Sequence, residues 1–461
     1  MRSSQPAAIN ESGTHTVEKP FSGLSLSRNF LWTLVGNGVY AACQWAIVVV
    51  LAKLGNAGLV GKLALAMAIC VPLTLLANLQ LRAVFVTDLE NKYPFGQMLG
   101  VRFFLAVVSL AAVILICKLS GYDALSKEVI MIISLSQLVD CLSENYYGIC
   151  QRYERMDRIA KSQIFRSVLS LLGFACILYL SNSLLLAVIA MVCGRVVVLL
   201  AYDASRATFA LDQSLYAVNA YGLGFTGRLI PHWNLRRQLE MVWVAFPLGA
   251  VAIVGALSVN IPRYAIQHYL GQSDLGIYSA LNYIPTALLM VTTALGNAVF
   301  ATLARLYFQG DLTAFKRLVL RGSGVCLAMG LAGLIGSAIA GRQVLAFLYR
   351  PEYGHRVDVL LWLMLAAAVG SFTTFLGCAM TATSQFRVQL VLFLVVAASS
   401  ATGCYLMIPR LGLAGAAVAA LMAMIVQAIG TALIISRGLL TRARHIGEND
   451  ISIDIRNIVE A

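Results

Sequence analysis

Charge is scarce in this sequence. Only 12% of its 461 residues are Asp, Glu, Lys or Arg, while 59% are hydrophobic. An average soluble domain is about 25% charged, so a chain of this length and composition cannot cover a water-soluble surface. The natural reading is a polytopic membrane protein, because ~20 apolar residues span one bilayer as a helix. Acidic residues are the scarcer sign, 21 against 34 basic. A basic surplus suits nucleic acid when it is gathered in one soluble domain. Here the charges sit in short gaps between apolar runs, which argues against nucleic acid as a partner. Metal and disulfide signatures are also missing. The ten cysteines lie in or at the edge of apolar runs, with no CxxC or Cys/His spacing, and the five histidines lie in tails, loops or at helix ends. That pattern supports buried small hydrophobes and neither a zinc site, a disulfide framework nor a cofactor. No cleavable signal pattern opens the chain. The first apolar run begins near Asn29 and is long enough to span, so it is expected to be retained.

What is present is a succession of apolar runs. Twelve spanning helices are expected, near 30–52, 59–81, 98–117, 129–150, 163–181, 183–202, 241–262, 276–304, 318–341, 358–382, 388–408 and 413–436. The fold class is therefore all-α and polytopic. The "SNS" of Ser181–Ser183 reads as a tight turn, and 203–240 as the only long loop, basic and central. The expected divisions are a polar tail (1–28), a first lobe of six helices (29–202), the linker loop (203–240), a second lobe of six helices (241–437) and a second tail (438–461). With both termini placed in the cytoplasm, the cytoplasmic segments hold more than twice as many Lys and Arg as the outer loops, as the positive-inside rule demands. The run "QRYERMDRIAK" (Gln151–Lys161) is then a cytoplasmic loop whose charges are mainly topogenic.

The halves resemble each other. "LGNAGLVGKLALAMAICVP" (Leu54–Pro72) matches "LGQSDLGIYSALNYIP" (Leu270–Pro285), and "SQIFR" (Ser162–Arg166) matches "SQFR" (Ser384–Arg387), in the same order. Each half holds an even number of helices, so the two repeats run parallel in the membrane. Repeats of this kind are typical of secondary transporters, with the substrate path at the lobe interface.

Ionisable residues inside the membrane are costly and need a reason. Asp140 and Glu144 lie deep in the fourth helix, four residues apart and so on one face. Gln137, Tyr147 and Gln151 extend that face into a polar stripe. Other helices carry Thr33, Asn37, Tyr40 and Gln44; Asn78 and Arg82; and Asn282, Thr286, Thr293 and Asn297. Such stripes line a shared hydrated cavity, or else only glue helices by hydrogen bonds. Arg195 stands at nearly the same depth as Asp140. The two are expected to pair near the midplane or to face the cavity jointly, with a purely structural ion pair as the alternative. Arg82 and Arg166, nearer the cytoplasm, either hold an anionic group or snorkel to the interface.

Several stretches resemble one family. "RYAIQHYLGQSDLGIYSALNYIP" (Arg263–Pro285), "YYGICQRYERM" (Tyr146–Met156), "SRNFLWTLVGNGVYAACQWAIVVVLAKLG" (Ser27–Gly55) and "LGLAGAAVAALMA" (Leu411–Ala423) are similar to segments of bacterial polysaccharide flippases. These are the O-antigen and exopolysaccharide (Wzx-type) exporters of the multidrug/oligosaccharidyl-lipid/polysaccharide superfamily. The resemblance implies two six-helix lobes around a cationic cavity. It also implies alternating access that carries an undecaprenyl-diphosphate-linked oligosaccharide across the cell (inner) membrane, with membrane lipids, a polysaccharide polymerase and export proteins as partners. The diphosphate would suit Arg82, Arg166 and Arg195, and the polar stripes would meet sugar hydroxyls. Two readings compete. A cation-coupled drug antiporter of the same superfamily would want an acidic cavity. A membrane polymerase or glycosyltransferase would want an acid/base pair in a sizeable outer loop, and Asp123, Glu128, Asp274, Glu352 and Asp358 form none. No enzymatic activity is expected.

Overall fold

The computed structural model describes residues 24–87, 95–152, 154–204, 234–383 and 386–459. Among the described residues there is no strand. The first half contains α1 (Leu26–Leu54), α2 (Ala57–Asn78), the short α3 (Leu81–Thr87), α4 (Phe95–Leu119), α5 (Ala124–Arg152), α6 (Met156–Ser181) and α7 (Leu184–Val198), the last continued by a π-helical turn over Leu199–Ala204. The second half contains α8 (Leu235–Tyr269), α9 (Gln272–Gln309), α10 (Leu312–Leu348), the short α11 (Pro351–Gly354), α12 (Val357–Ala382), α13 (Phe386–Leu411) and α14 (Leu413–Val459). Eleven of the described helices are long and apolar enough to cross a membrane. α5 lies where the fourth span is expected and has the length, 29 residues, but its polar stripe keeps it out of that apolar set.

Local chemistry sets the helix ends. Asn56 caps α2 by accepting from the Leu59 N–H at 2.9 Å, and Asp311 caps α10 through Ala314 at 2.9 Å. In the "SNS" turn, Asn182 takes the left-handed conformation (φ 51°) that closes α6, and Ser183 caps α7. Gly271, at φ 88°, turns α8 into α9. Two expected boundaries are corrected. The second span ends at Asn78, because Leu79 and Gln80 have positive φ and Arg82 falls on the separate α3. The seventh runs past 262 to Tyr269, so Arg263 is helical rather than in a loop. The 438–461 tail is helical as far as Val459. Of the expected 203–240 loop, residues 205–233 lie outside the described residues, and Leu235–Glu240 open α8.

The packing scheme of the first half recurs in the second. α1 lies against α6 as α8 lies against α13, α2 against α5 as α9 against α12, and α6 against α7 as α13 against α14. Short connections fold successive helices antiparallel, which gives the bundle a turn end (the α1–α2 and α8–α9 turns) and a tail end (the start of α1). At the turn end the halves meet backbone to backbone. A Cβ on Gly61 would land on the Gln272 carbonyl oxygen, and one on Gly276 would land on that of Ala57. Small residues allow this close crossing of α2 and α9.

Hydrogen bonds between the halves gather at the same end. Gln272 Nε2 donates to Asp123 Oδ1 (2.8 Å) and Ser126 Oγ (2.9 Å), and Arg350 donates to the Lys53 carbonyl (2.9 Å). Trp45 Nε1 donates to Tyr349 Oη (2.9 Å), which donates to the Ala280 carbonyl (2.8 Å). Burial pushes the Tyr349 phenol up, against the Trp45 hydrogen bond, so it remains a donor at physiological pH. Burial also pushes the Asp123 carboxyl up, but hydrogen bonds from Lys62, Ser126 and Gln272 outweigh it and hold the group well below the usual carboxylate range. A depressed carboxyl contributes above its unfolded pKa of about 3.9 and loses that contribution as pH falls through the folded value. The expected result is a turn-end contact insensitive to pH from about pH 5 upward. Asp123→Ala loosens it at neutral pH, measured as faster labelling by an impermeant thiol reagent in a Leu275→Cys background, a position buried at the same end.

Candidate functional site

The stripe on α5 is built by helix periodicity, and its neighbours complete it. Four surrounding helices each send an arginine toward it. Arg195 of α7 donates to Asp140 Oδ2 at 2.6 Å, and Arg166 of α6 donates to Asp140 Oδ1 at 3.0 Å. Arg82 of α3 donates to Glu144 Oε2 at 3.0 Å and, through Nε, to Gln151 Oε1 at 2.6 Å. Arg102 of α4 donates to the Cys141 carbonyl at 3.0 Å. Three of the four are deeply buried: Arg102 and Arg195 are each 2% exposed and Arg166 6%.

The expected Asp140–Arg195 pair is therefore present, and Asp140 is shared. Arg166 does not snorkel. Its register on α6 turns it inward, and the second carboxylate oxygen of Asp140 offsets part of the cost of burying it. Tyr147 and Tyr40 lie beneath its guanidinium, 5.7 and 6.0 Å from ring centroid to Cζ. Among the described residues, nothing hydrogen-bonds the buried Arg166 Nε. One carboxylate between two guanidiniums leaves a net positive charge with unused donors, which is a setting for an anion.

Sequence reasoning missed Arg263, because Pro262 reads as the end of a span. On α8 the Arg263 Nη1 donates to Asn260 Oδ1 at 2.6 Å, its Nε is buried without a partner, and no carboxylate among the described residues forms an ion pair with it. Tyr264, next to it on α8, donates its hydroxyl to the Ala68 carbonyl of α2. Arg102 was visible as a charge within a span but carried no assignment.

The remaining expected positions do not join this cluster. Asn37 and Asn297 are exposed, while Gln44 and Asn282 are half-buried. Thr33, Thr286 and Thr293 hydroxyls bond carbonyls of their own helices, at 2.8, 2.6 and 2.8 Å, so they glue nothing across the bundle. Among the described residues, no group of three or more His, Cys, Asp or Glu side chains is placed to hold a metal.

A model of the family described as polysaccharide biosynthesis protein matches residues 26–307, more than half of the chain. The chain belongs to this family. The chain is similar to the capsular polysaccharide biosynthesis protein CapF of Staphylococcus aureus, 25% identical over 390 residues, which cover 85% of this chain and 94% of that protein. A probable flippase of Haloferax volcanii, AglR, is 27% identical over 168 residues, about a third of each chain (35% and 34%). The fold is shared with the lipid II flippase MurJ in an inward closed conformation, at a TM-score of 0.69, 10% identity and 89% and 90% coverage of the two chains. It is shared as well with the Vibrio cholerae MATE transporter VcmN, at 0.60, 14% and 90% and 96%. The chain is thus a multi-pass membrane protein that shares its fold with these two transporters.

Proposed function

We propose that the protein is a flippase. It carries an oligosaccharide repeat unit, linked to undecaprenyl diphosphate, from the cytoplasmic to the outer leaflet of the cell (inner) membrane by alternating access. The observation that carries this reading is a surplus of guanidiniums with buried donors: Arg166 and Arg195, inside the first half, share one carboxylate, and Arg263, half-buried on α8, has none among the described residues. Burying an unneutralised guanidinium costs several kcal/mol, on the order given for a buried ion. A bound diphosphate recovers that cost. Arg82, released from Glu144, would add a further donor. Asn37, Gln44, Asn282 and Asn297 supply hydrogen-bonding groups for sugar hydroxyls.

The turn-end contacts support a state closed toward the outer face, and the exposed Asn37 and Asn297 on α1 and α9 support an entrance nearer the tail end. Both termini then lie in the cytoplasm, in keeping with the distribution of Lys and Arg. Transport of this kind needs no covalent chemistry, so no enzymatic role is assigned. Polysaccharide polymerase and export proteins would act on what it delivers. The capsular relative and the flippase names among the similar proteins agree with this assignment.

The test in cells is the leaflet position of lipid-linked sugar units after deletion of the gene. Units held on the cytoplasmic leaflet and released by the restored wild type are the expected result. Complete units that reach the outer leaflet but stay unpolymerised would mean that the protein acts after translocation. A second expectation concerns the missed arginine: Arg263→Ala binds inorganic pyrophosphate about tenfold more weakly than wild type, the loss of one charge-assisted contact of roughly 1.5 kcal/mol, by calorimetry on the purified protein.

A further inference from the structure

We propose that Asp203 is a proton-binding site whose occupancy sets how strongly Arg166 and Arg195 hold an anion; the second clause rests on the anion site described under Proposed function. Asp203 lies in the π-helical turn Leu199–Ala204 that ends α7. Single π turns inside helices recur at functional positions. Its carboxyl is buried, the residue being 4% exposed. Ser143 of α5 donates to it at 2.7 Å, and the Ser162 hydroxyl of α6 lies near it. Ser162 shares a 2.8 Å hydrogen bond with Tyr147 Oη, the ring that lies against Arg166.

What sets Asp203 apart is its partners. Asp140 has two guanidiniums and Glu144 has Arg82. Among the described residues no Lys or Arg forms an ion pair with Asp203. A carboxylate tied to cations keeps its charge, whereas burial without a cation favours the neutral acid. Hydroxyl partners suit both forms, because they donate to a carboxylate and accept from a carboxylic acid. Among the described residues, the charged and titratable groups near Asp203 are Arg166 from α6 and Asp140, Tyr146, Tyr147 and Cys150 from α5, with Tyr202 beside it on its own turn. Arg166 is the one cation in this set.

Charge balance gives the coupling. With Asp203 ionised, Asp140 and Asp203 offset Arg166 and Arg195. With Asp203 protonated, the same four side chains carry a net positive charge. The anion therefore binds more tightly to the protonated form, and by reciprocity a bound anion strengthens proton binding. Anion affinity is highest below the pKa of Asp203 and falls as pH rises through it. The proton enters and leaves as H+ from solvent, with no other reactant required.

The experiment uses the full-length protein in detergent micelles, with two readouts. Infrared difference spectra on acidification report the C=O stretch of a newly protonated carboxyl. That band is expected in wild type and in Glu144→Gln, and absent in Asp203→Asn. Calorimetry with inorganic pyrophosphate is expected to give about tenfold weaker binding above the transition than below it, a coupling of one pKa unit. Asp203→Asn should bind at the tighter value at every pH. Ser143→Ala, which removes one donor to the ionised form, should move the band's onset to higher pH. A band that persists in Asp203→Asn overturns the proton site whatever the anion does. A band lost in Asp203→Asn together with pH-independent pyrophosphate affinity overturns the coupling. Pyrophosphate that fails to bind at any pH overturns the anion site on which the coupling rests, while the infrared result still decides the proton site.

Discussion

Asp140→Asn and Arg195→Ala both abolish export while the protein still reaches the membrane at wild-type levels. The two should differ in stability. Asp140 holds Arg195 at 2.6 Å and Arg166 at 3.0 Å through separate oxygens. Asparagine keeps the shape and removes the charge, which strands two buried guanidiniums against each other. Removing one partner of a buried pair costs on the order of 3–5 kcal/mol. Arg195→Ala is milder, because Asp140 keeps Arg166. The thermal midpoint of the purified protein should therefore fall further for Asp140→Asn than for Arg195→Ala. Adding Arg195→Met to Asp140→Asn should recover part of that loss without restoring export. The combination separates the structural share of the cluster from its part in transport. Wild-type export in both single variants would remove the pair from the mechanism.

The second large effect belongs to a glycine. Gly61→Leu should reduce export by more than about tenfold, a factor worth roughly 1.4 kcal/mol. It should also expose the thiol of a Leu275→Cys reporter, a buried position at the same end, to an impermeant thiol reagent. The side chain has nowhere to go, since even a Cβ at this position overlaps the Gln272 carbonyl oxygen, and backbone cannot rotate aside as a side chain can. α2 and α9 must separate. That strain, of order 1–3 kcal/mol for overpacking, falls on the point where Gln272 reaches Asp123 and Ser126. A turn end that opens too readily destroys alternation. Gly255→Ala is the control, because a Cβ there meets nothing within 4 Å. Unchanged labelling and unchanged export in Gly61→Leu would mean that the crossing carries no closure.

The helices and the heart of the cluster could be read from the sequence because both depend on simple periodicities. Apolar runs mark the spans, and a four-residue step placed Asp140 and Glu144 on one face with Arg195 at matching depth. Depth could not tell where long side chains reach. Arg166 starts nearer the tail end and bends back to Asp140, so it looked like an interfacial residue. Arg263 was hidden by a proline that does not end its helix. Asp203 sits on the last turn before a polar stretch, where a carboxylate reads as loop, and its hydrogen-bond partner Ser143 comes from another helix. The matching "LG" turns were visible as a repeat. That Gly61 and Gly276 press on each other's backbone became visible only when the halves were brought together. In each case the missing information was tertiary: which neighbour fills the space around a side chain.

The most direct test of the central claim is transport by the purified protein alone. Proteoliposomes would carry an undecaprenyl-diphosphate-linked oligosaccharide, and the fraction of sugar reachable by an added lectin or glycosidase would be followed in time. A flippase predicts that sugar on the protected leaflet becomes accessible, that empty vesicles show no such change, and that Asp140→Asn and Arg195→Ala behave like empty vesicles. Sugar that crosses no faster with the wild-type protein than without it would contradict the account.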